Sequence, residues 1–250
     1  MRAGTKAFAV VSTLVSAAIA PGKGNAQETL AGWSFQMTPY VWATGLGGSL
    51  RPLAAGPKIS IDKSFGDILE DLDVAFFVTG LARRDRLVLL GDFSTSSSSR
   101  GGVVPPGIPA KGSLRQTSLT LLAGYRAVSE GPFTLDVLAG ARVWDVRARV
   151  NAPVVPIRVA RERSFADPVV AARVNLRLAP GWSLLAYGDV GGAGIGSRFT
   201  SQLAATVNYE FSERFFLSAG YRQLHVDYRE DGMRVDLRMK GPLVGATLRF

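Results

Sequence analysis

Apolar and polar side chains alternate along several stretches of this chain. The clearest stretch is residues 169–178, where Val170, Ala172 and Val174 alternate with Arg173 and Asn175. Successive side chains of an extended strand point to opposite faces, so a period of two predicts a strand with one apolar and one polar face. The same reading along the chain predicts ten strands, at residues 33–46, 73–83, 87–97, 113–127, 133–150, 169–178, 182–190, 202–211, 215–229 and 234–250.

The segments that join these strands alternate between short and long along the chain. Residues 84–86, 129–132, 179–181 and 212–214 make short turns, whereas the proline-containing segments 47–72, 98–112 and 151–164 are predicted as exposed loops. This alternation is typical of an antiparallel up-and-down transmembrane β-barrel with tight periplasmic turns and larger external loops. We therefore predict an all-β barrel of ten strands; eight or twelve strands result if residues 47–65 pair differently.

The first long connection carries two further elements. Residues 58–61 fit a short strand, and Phe65, Ile68, Leu69 and Leu72 fall at the i, i+3, i+4 and i+7 positions of one helix face. We therefore expect a short acidic helix in the first external loop. This helix either folds over the lumen as a gate or remains exposed to solvent. Its acidic residues, the candidates for the gate, are Asp67, Glu70, Asp71 and Asp73.

The N-terminal residues have the pattern of a secretory signal. Arg2 and Lys6 precede an apolar stretch at residues 7–20, and small residues near Ala26 suit a cleavage site. We expect residues 1–26 to be removed, which leaves residues 27–250 as one barrel in the bacterial outer membrane. Downstream there is no apolar run of eighteen or more residues, so a membrane crossing requires strands rather than a helix. The sequence contains no cysteine, which is compatible with an oxidising compartment.

The density of charge on the polar faces decides which face points inward. An arginine or lysine facing lipid at the midplane costs about 2–4 kcal/mol, so the polar faces are expected to line the lumen. Two alternatives follow: a wall in which arginines and acidic residues pair and plug the barrel, or a narrow anion-preferring pore for small solutes. The lumen-lining candidates are Arg126, Asp136, Arg142, Arg173, Asn175, Arg177, Asp189, Glu210, Arg222, Asp236, Arg238 and Lys240.

Evidence for catalysis is weak. His225 is the single histidine, and His225 and Asp227 project to the same side of one strand. The arrangement is similar to the Asp-and-His pairing of omptin outer-membrane proteases, but its order is reversed and paired aspartates on another strand are not evident. Asp227 also occupies the position of the serine in the His-x-Ser arrangement of lipid A deacylases. We therefore expect no enzyme, no catalytic residue, no metal and no cofactor, with a hydrolase that uses His225 and Asp227 as a remote alternative.

Several motifs in the first hundred residues resemble a group of proteobacterial, porin-like outer-membrane β-barrel proteins. The matching residues are Trp33-x-Phe35, Pro39-Tyr40-x-Trp42, Gly45-x-x-Gly48, Phe65-Gly66-Asp67-Ile68-Leu69 and Leu72-Asp73. The resemblance implies the fold and the location, and it assigns no activity and no functional residues.

The expected partners follow from the outer-membrane prediction. The C-terminal Phe250 resembles the signal by which the barrel-assembly machinery recognises its clients. Outer-membrane lipid and lipopolysaccharide are the other expected partners, the latter through basic segments such as residues 158–163. No nucleic-acid partner is expected, and the sequence leaves the oligomeric state open.

Overall fold

The computed structural model describes residues 32–51, 59–63, 72–104, 108–152, 157–230 and 233–250, and these form antiparallel strands joined by turns. The strands are β1 (Trp33–Trp42), β2 (Gly45–Arg51), β3 (Ile59–Lys63), β4 (Leu72–Arg84), β5 (Leu87–Val104), β6 (Ile108–Glu130), β7 (Phe133–Ala152), β8 (Ile157–Ala179), β9 (Trp182–Gly192), β10 (Phe199–Ser212), β11 (Phe215–Glu230) and β12 (Met233–Arg249).

These strands close into a barrel with ten wall strands. Each strand from β4 to β12 pairs with its neighbour in the chain, and β1 pairs with both β4 and β12. β1 and β2 are two halves of one interrupted wall strand, because both run along β12, while β3 pairs with β2. The backbone of Phe250 bonds to that of Phe35 and completes the closure. The predicted ten-stranded antiparallel barrel is confirmed.

The first predicted strand, residues 33–46, was wrong in being continuous. It breaks at Ala43 and Thr44, where Ala43 donates a backbone hydrogen bond to the carbonyl oxygen of Pro242 over 2.9 Å. Gly241 lies opposite the break, and a Cβ at this position would collide with the carbonyl oxygen of Ala43. The glycine therefore permits the close backbone approach that the bend requires.

Two predicted loops were also wrong, because most of residues 98–112 and 151–164 belongs to long hairpins. Strand β5 continues to Val104 and β6 starts at Ile108, with pairs from Ser98–Leu114 to Val104–Ile108. Pro109 is tolerated because it lies beyond the last pair between β6 and β7, so its missing N–H costs no bond to β7. The hairpins project far from the end that holds the short turns 85–86, 131–132, 180–181 and 213–214. We call that end the turn end and the opposite end the hairpin end.

The outer surface changes character along the strands. On β11, Leu217 and Tyr221 face outward and are exposed, whereas His225 and Asp227 occupy the same outward positions nearer the hairpin end. On β12 the apolar side chains change face at Gly241: Leu237 and Met239 face inward, whereas Val244 and Leu248 face outward, although the pairing with β11 has no register shift. An apolar band therefore surrounds the turn half, and the hairpin half is polar outside.

Aromatic residues mark the two edges of this band. Near the turn end Tyr125, Trp182, Phe211 and Phe250 are exposed, and Tyr221, Phe76 and Phe199 are exposed at different levels farther towards the hairpin end. Such girdles form where a lipid-facing band meets the headgroups. Among the described residues, no helix has the length and apolarity needed to cross a bilayer. The predicted acidic helix and its Asp67, Glu70 and Asp71 lie outside the described residues, while Asp73 falls in β4.

Candidate functional site

Three layers of side chains fill the lumen. The middle layer is polar, and we call it the lumen network; it consists of Tyr40, Thr79, Asp92, Thr120, Arg142, Asp189, Thr200, Gln202 and Arg222. Towards the hairpin end lies the aromatic cluster, which starts two residues beyond the network on β1, β4, β7 and β11 and contains Trp42, Phe77, Trp144, Phe165, Leu224, Val226, Tyr228 and Met239; Leu243 joins it from the side of the turn end. Towards the turn end lies the leucine cluster, which contains Leu81, Val88, Leu90, Leu122, Leu138, Val169 and Ala171.

Arg142 on β7 ties one side of the lumen network together. Its guanidinium forms a two-pronged ion pair with Asp189 on β9, with N–O distances of 2.5 and 3.1 Å. It also donates to the hydroxyl groups of Thr120 and Thr200 over 2.8 and 3.2 Å. The side chain is almost fully buried, and its charge is matched by the Asp189 carboxylate. Bidentate pairs of this kind fix geometry as well as charge.

Arg222 on β11 bridges the lumen to the far wall. It bonds to Asp92 on β5 over 2.9 Å and to Gln202 over 2.7 Å, and it donates to the hydroxyl of Tyr40. Gln202 also accepts from Arg142 over 3.4 Å, so the two arginines are connected. The contacts therefore link β1, β4, β5, β6, β7, β9, β10 and β11 in one layer across the lumen.

A second ionic cluster lies near the turn end. Asp136 has 0% exposure and accepts from two arginines, from Arg126 over 2.7 and 3.2 Å and from Arg173 over 3.1 Å. Two guanidinium groups thus share one carboxylate, and the cluster keeps a surplus positive charge. Arg126 and Arg173 are partly accessible, with side-chain exposures of 16% and 12%.

The aromatic cluster closes the lumen on the hairpin side of the network. Phe165 stacks between Trp144 and Tyr228, with ring centroids 6.1 and 4.5 Å apart. The indole of Trp144 donates to Asp167, which has 0% exposure and also accepts from the backbone and hydroxyl of Ser197. The interior therefore holds four buried or half-buried arginines (Arg126, Arg142, Arg173 and Arg222) and four buried aspartates (Asp92, Asp136, Asp167 and Asp189), and Arg249 adds a positive charge near the turn end.

The structure places the sequence-predicted lumen residues in three groups. Arg126, Asp136, Arg142, Arg173, Asn175, Asp189 and Arg222 lie inside the barrel and are buried or half-buried. Arg177 and Glu210 occupy inward positions near the turn end but are exposed. Asp236, Arg238 and Lys240 lie on the outer face, so the expectation of a lumenal position does not hold for them. Their strand positions alternate with those of buried Met239 and half-buried Leu237, which occupy the interior instead.

His225 also lies on the outer face. Its Nε2 is 3.1 Å from Oδ1 of Asp236 on the neighbouring strand, whereas Asp227 pairs with Arg229 over 3.0 Å. The interior at the same height is filled by the aromatic cluster. His225 and Asp227 therefore do not share a hydrogen bond, and they point away from the lumen. Among the described residues, no three potential metal ligands come together.

A cavity of about 180 Å³ lies beneath the lumen network, on the side of the turn end. Tyr40, Asp92 and Arg222 form its inner end, and Phe216 and Arg249 line it near the turns. The leucine cluster contributes Leu81 and Leu90 to one wall, whereas Asn175 and Asn208 form part of the polar wall.

Sequence reasoning missed several members of the network, among them Tyr40, Thr79, Asp92, Thr120 and Thr200. Asp92 had a readable signal, since it is the single charge among residues 87–93, a stretch otherwise apolar apart from Gly91. An isolated acid within a membrane strand needs a cationic partner. The partner, Arg222, is 130 positions away, and the sequence gives no pairing across that distance.

Comparisons with known proteins identify the fold. No family model matches the sequence, and no curated protein matches it. The outer-membrane protease OmpT of Escherichia coli superposes with a TM-score of 0.60 at 11% identity, covering 87% of this chain and 97% of OmpT. The translocator domain of the autotransporter NalP of Neisseria meningitidis gives a TM-score of 0.49 at 12% identity, covering 98% of this chain and 97% of the domain.

The likeness to OmpT is one of fold alone, because the identity is low. Together with the apolar outer band and its aromatic girdles, it identifies the chain as a transmembrane β-barrel with the fold of outer-membrane proteins.

Proposed function

We propose that this protein is a closed outer-membrane barrel that works through its hairpin end as a structural or interaction module. The lumen network carries the proposal, because Arg142, Gln202 and Arg222 bridge the interior and the aromatic cluster packs directly against them. At the level of the network each arginine is also paired with an aspartate, Arg142 with Asp189 and Arg222 with Asp92, so this layer offers no unpaired basic residue to a passing anion. A closed lumen predicts no conductance, whereas the narrow anion-preferring, porin-like alternative predicts stable anion-selective steps.

The outer face of β10 to β12 supplies the interaction surface that we propose. Just beyond the apolar band it presents a group that we call the outer basic cluster, Arg198, Arg229, Arg238 and Lys240. Asp227 and Asp236 lie among these residues, and the pair between Arg238 and Asp236 is long at 3.9 Å. The side chains of Arg198 and Arg238 are 62% and 63% exposed. A net positive cluster at the edge of a lipid-facing band suits the phosphates of lipopolysaccharide.

A hydrolytic function has less support. Catalysis requires a base within reach of a substrate-binding space, but His225 lies on the outer wall and bonds to Asp236. We propose that the protein is not an enzyme. We also propose the route to this location: export from a Gram-negative cytoplasm by a signal peptide at residues 1–26, followed by insertion through the barrel-assembly machinery with Phe250 as its signal.

The interaction is tested by unfolding the mature chain in urea after refolding into phospholipid vesicles with and without lipopolysaccharide. Preferential binding to the folded barrel raises the unfolding midpoint, and we expect Arg238→Gln with Lys240→Gln to reduce that gain by at least half. Arg177→Gln, which removes an exposed charge near the turn end, is the matched control and should keep the full gain. An equal gain in all three proteins would contradict the proposal.

A further inference from the structure

The cavity at the turn end has an unusual combination of linings. Leu81, Leu90, Leu185 and Leu243 give it apolar walls, and Asn175 and Asn208 present side-chain amides to it. Ligand sites commonly combine an apolar body with a few polar groups that fix orientation. The lumen network closes the inner end, so any occupant must enter and leave at the turn end.

The charges around the cavity favour an anion. Arg222 is matched by Asp92, so this pair contributes no net charge. Arg173, by contrast, shares the single carboxylate of Asp136 with Arg126, which leaves one positive charge uncompensated beside the cavity. Arg249 adds a second positive charge near the mouth, with its guanidinium 4.3 Å from the ring centroid of Phe216.

We infer that this cavity is a binding site for a small amphipathic carboxylate that reaches it from the periplasmic side. The carboxylate meets Arg173 and the amides of Asn175 and Asn208, and the apolar body lies against Leu81, Leu90 and neighbouring leucines. A volume of about 180 Å³ suits a molecule with a single aromatic ring or a short aliphatic chain. Because the inner end is closed, the site captures its ligand and does not conduct it.

The test uses 4-fluorobenzoate as the probe, with the mature chain in phospholipid nanodiscs and detection by fluorine NMR. We expect saturable line broadening that empty nanodiscs do not give. The neutral analogue 4-fluorobenzamide should bind at least tenfold more weakly, because it lacks the charge that faces Arg173. Failure to see saturable binding, or equal binding of amide and carboxylate, would overturn the inference.

Three variants locate the site. Arg173→Gln removes the surplus charge while Asp136 keeps Arg126, and we expect affinity to fall at least tenfold. Ala204→Phe projects a ring into the cavity from β10 and should abolish binding. If Arg173→Gln does not fold, this variant alone tests whether the probe binds in the cavity. Arg234→Gln removes an exposed charge from the outer wall and should leave binding unchanged. Binding that survives Ala204→Phe would place the probe elsewhere and refute the site.

Discussion

Breaking the ion pair between Arg222 and Asp92 should cost far more stability than removing an exposed arginine. Arg222→Met deletes the bonds to Asp92, Gln202 and Tyr40, and it leaves the buried Asp92 carboxylate, at 6% exposure, with the hydroxyl donors of Thr79 and Tyr40 but without its cationic partner. Removing one member of a buried pair costs about 3–5 kcal/mol, because the other charge stays buried without compensation. We expect a loss of that size in the free energy of unfolding.

A double-mutant cycle separates the uncompensated charge from the lost packing. Replacing both members, as in Arg222→Met with Asp92→Leu, removes the stranded carboxylate, so the double variant should be more stable than Arg222→Met alone. Arg238→Met on the outer face is the control, with an expected change within about 0.5 kcal/mol. All variants are measured by urea unfolding in phospholipid vesicles, followed by tryptophan fluorescence.

Two results would refute this reasoning. One is a cost below about 1 kcal/mol for Arg222→Met, since a buried member of an ion pair cannot be removed so cheaply. The other is a double variant whose loss equals the sum of its two single losses, because contacting residues must couple. Either result would mean that Arg222 and Asp92 do not interact across the lumen.

Three further predictions test the outer wall and the bend. Val207→Arg, in the lipid-facing band, should cost about 2–4 kcal/mol in unfolding free energy, whereas Gln223→Arg, which lies four positions closer to the hairpin end, should be nearly neutral; equal costs would contradict the position of the band. Gly241→Ala should lower the urea midpoint because its Cβ meets the Ala43 carbonyl; an unchanged midpoint would show that the bend relaxes freely. His225→Ala should change stability by less than about 1 kcal/mol and leave any measured hydrolysis unaltered; loss of an activity would revive the enzymatic alternative.

The sequence predicted the barrel well, because strand alternation and turn composition are local signals. It failed for residues 98–112, where glycine, proline and serine indicate a loop while pairing between β5 and β6 satisfies the backbone. Only the partner strand distinguishes the two cases, and the sequence of one segment does not contain it.

The candidate site was predicted in part for the same reason. The alternation of polar and apolar residues correctly placed Arg142 and Asp189 in the lumen. It also placed Arg238 there, because the apolar face was assumed to point to lipid along the whole strand. Beyond the membrane the orientation is the opposite: polar side chains face the water outside the wall, and apolar side chains fill the interior as the aromatic cluster. The partner of Arg222 depends on three-dimensional closure, which no local pattern encodes.

Single-channel conductance of the refolded mature chain in a planar bilayer tests the closed lumen most directly. A gel that detects heat-modifiable migration confirms that the barrel has formed, and an open porin in the same bilayer confirms that the recording can detect a pore. The lumen network and the aromatic cluster predict a folded barrel without current steps. Stable, anion-selective steps that weaken when Arg173 and Arg177 are neutralised would contradict the closed lumen and favour the pore.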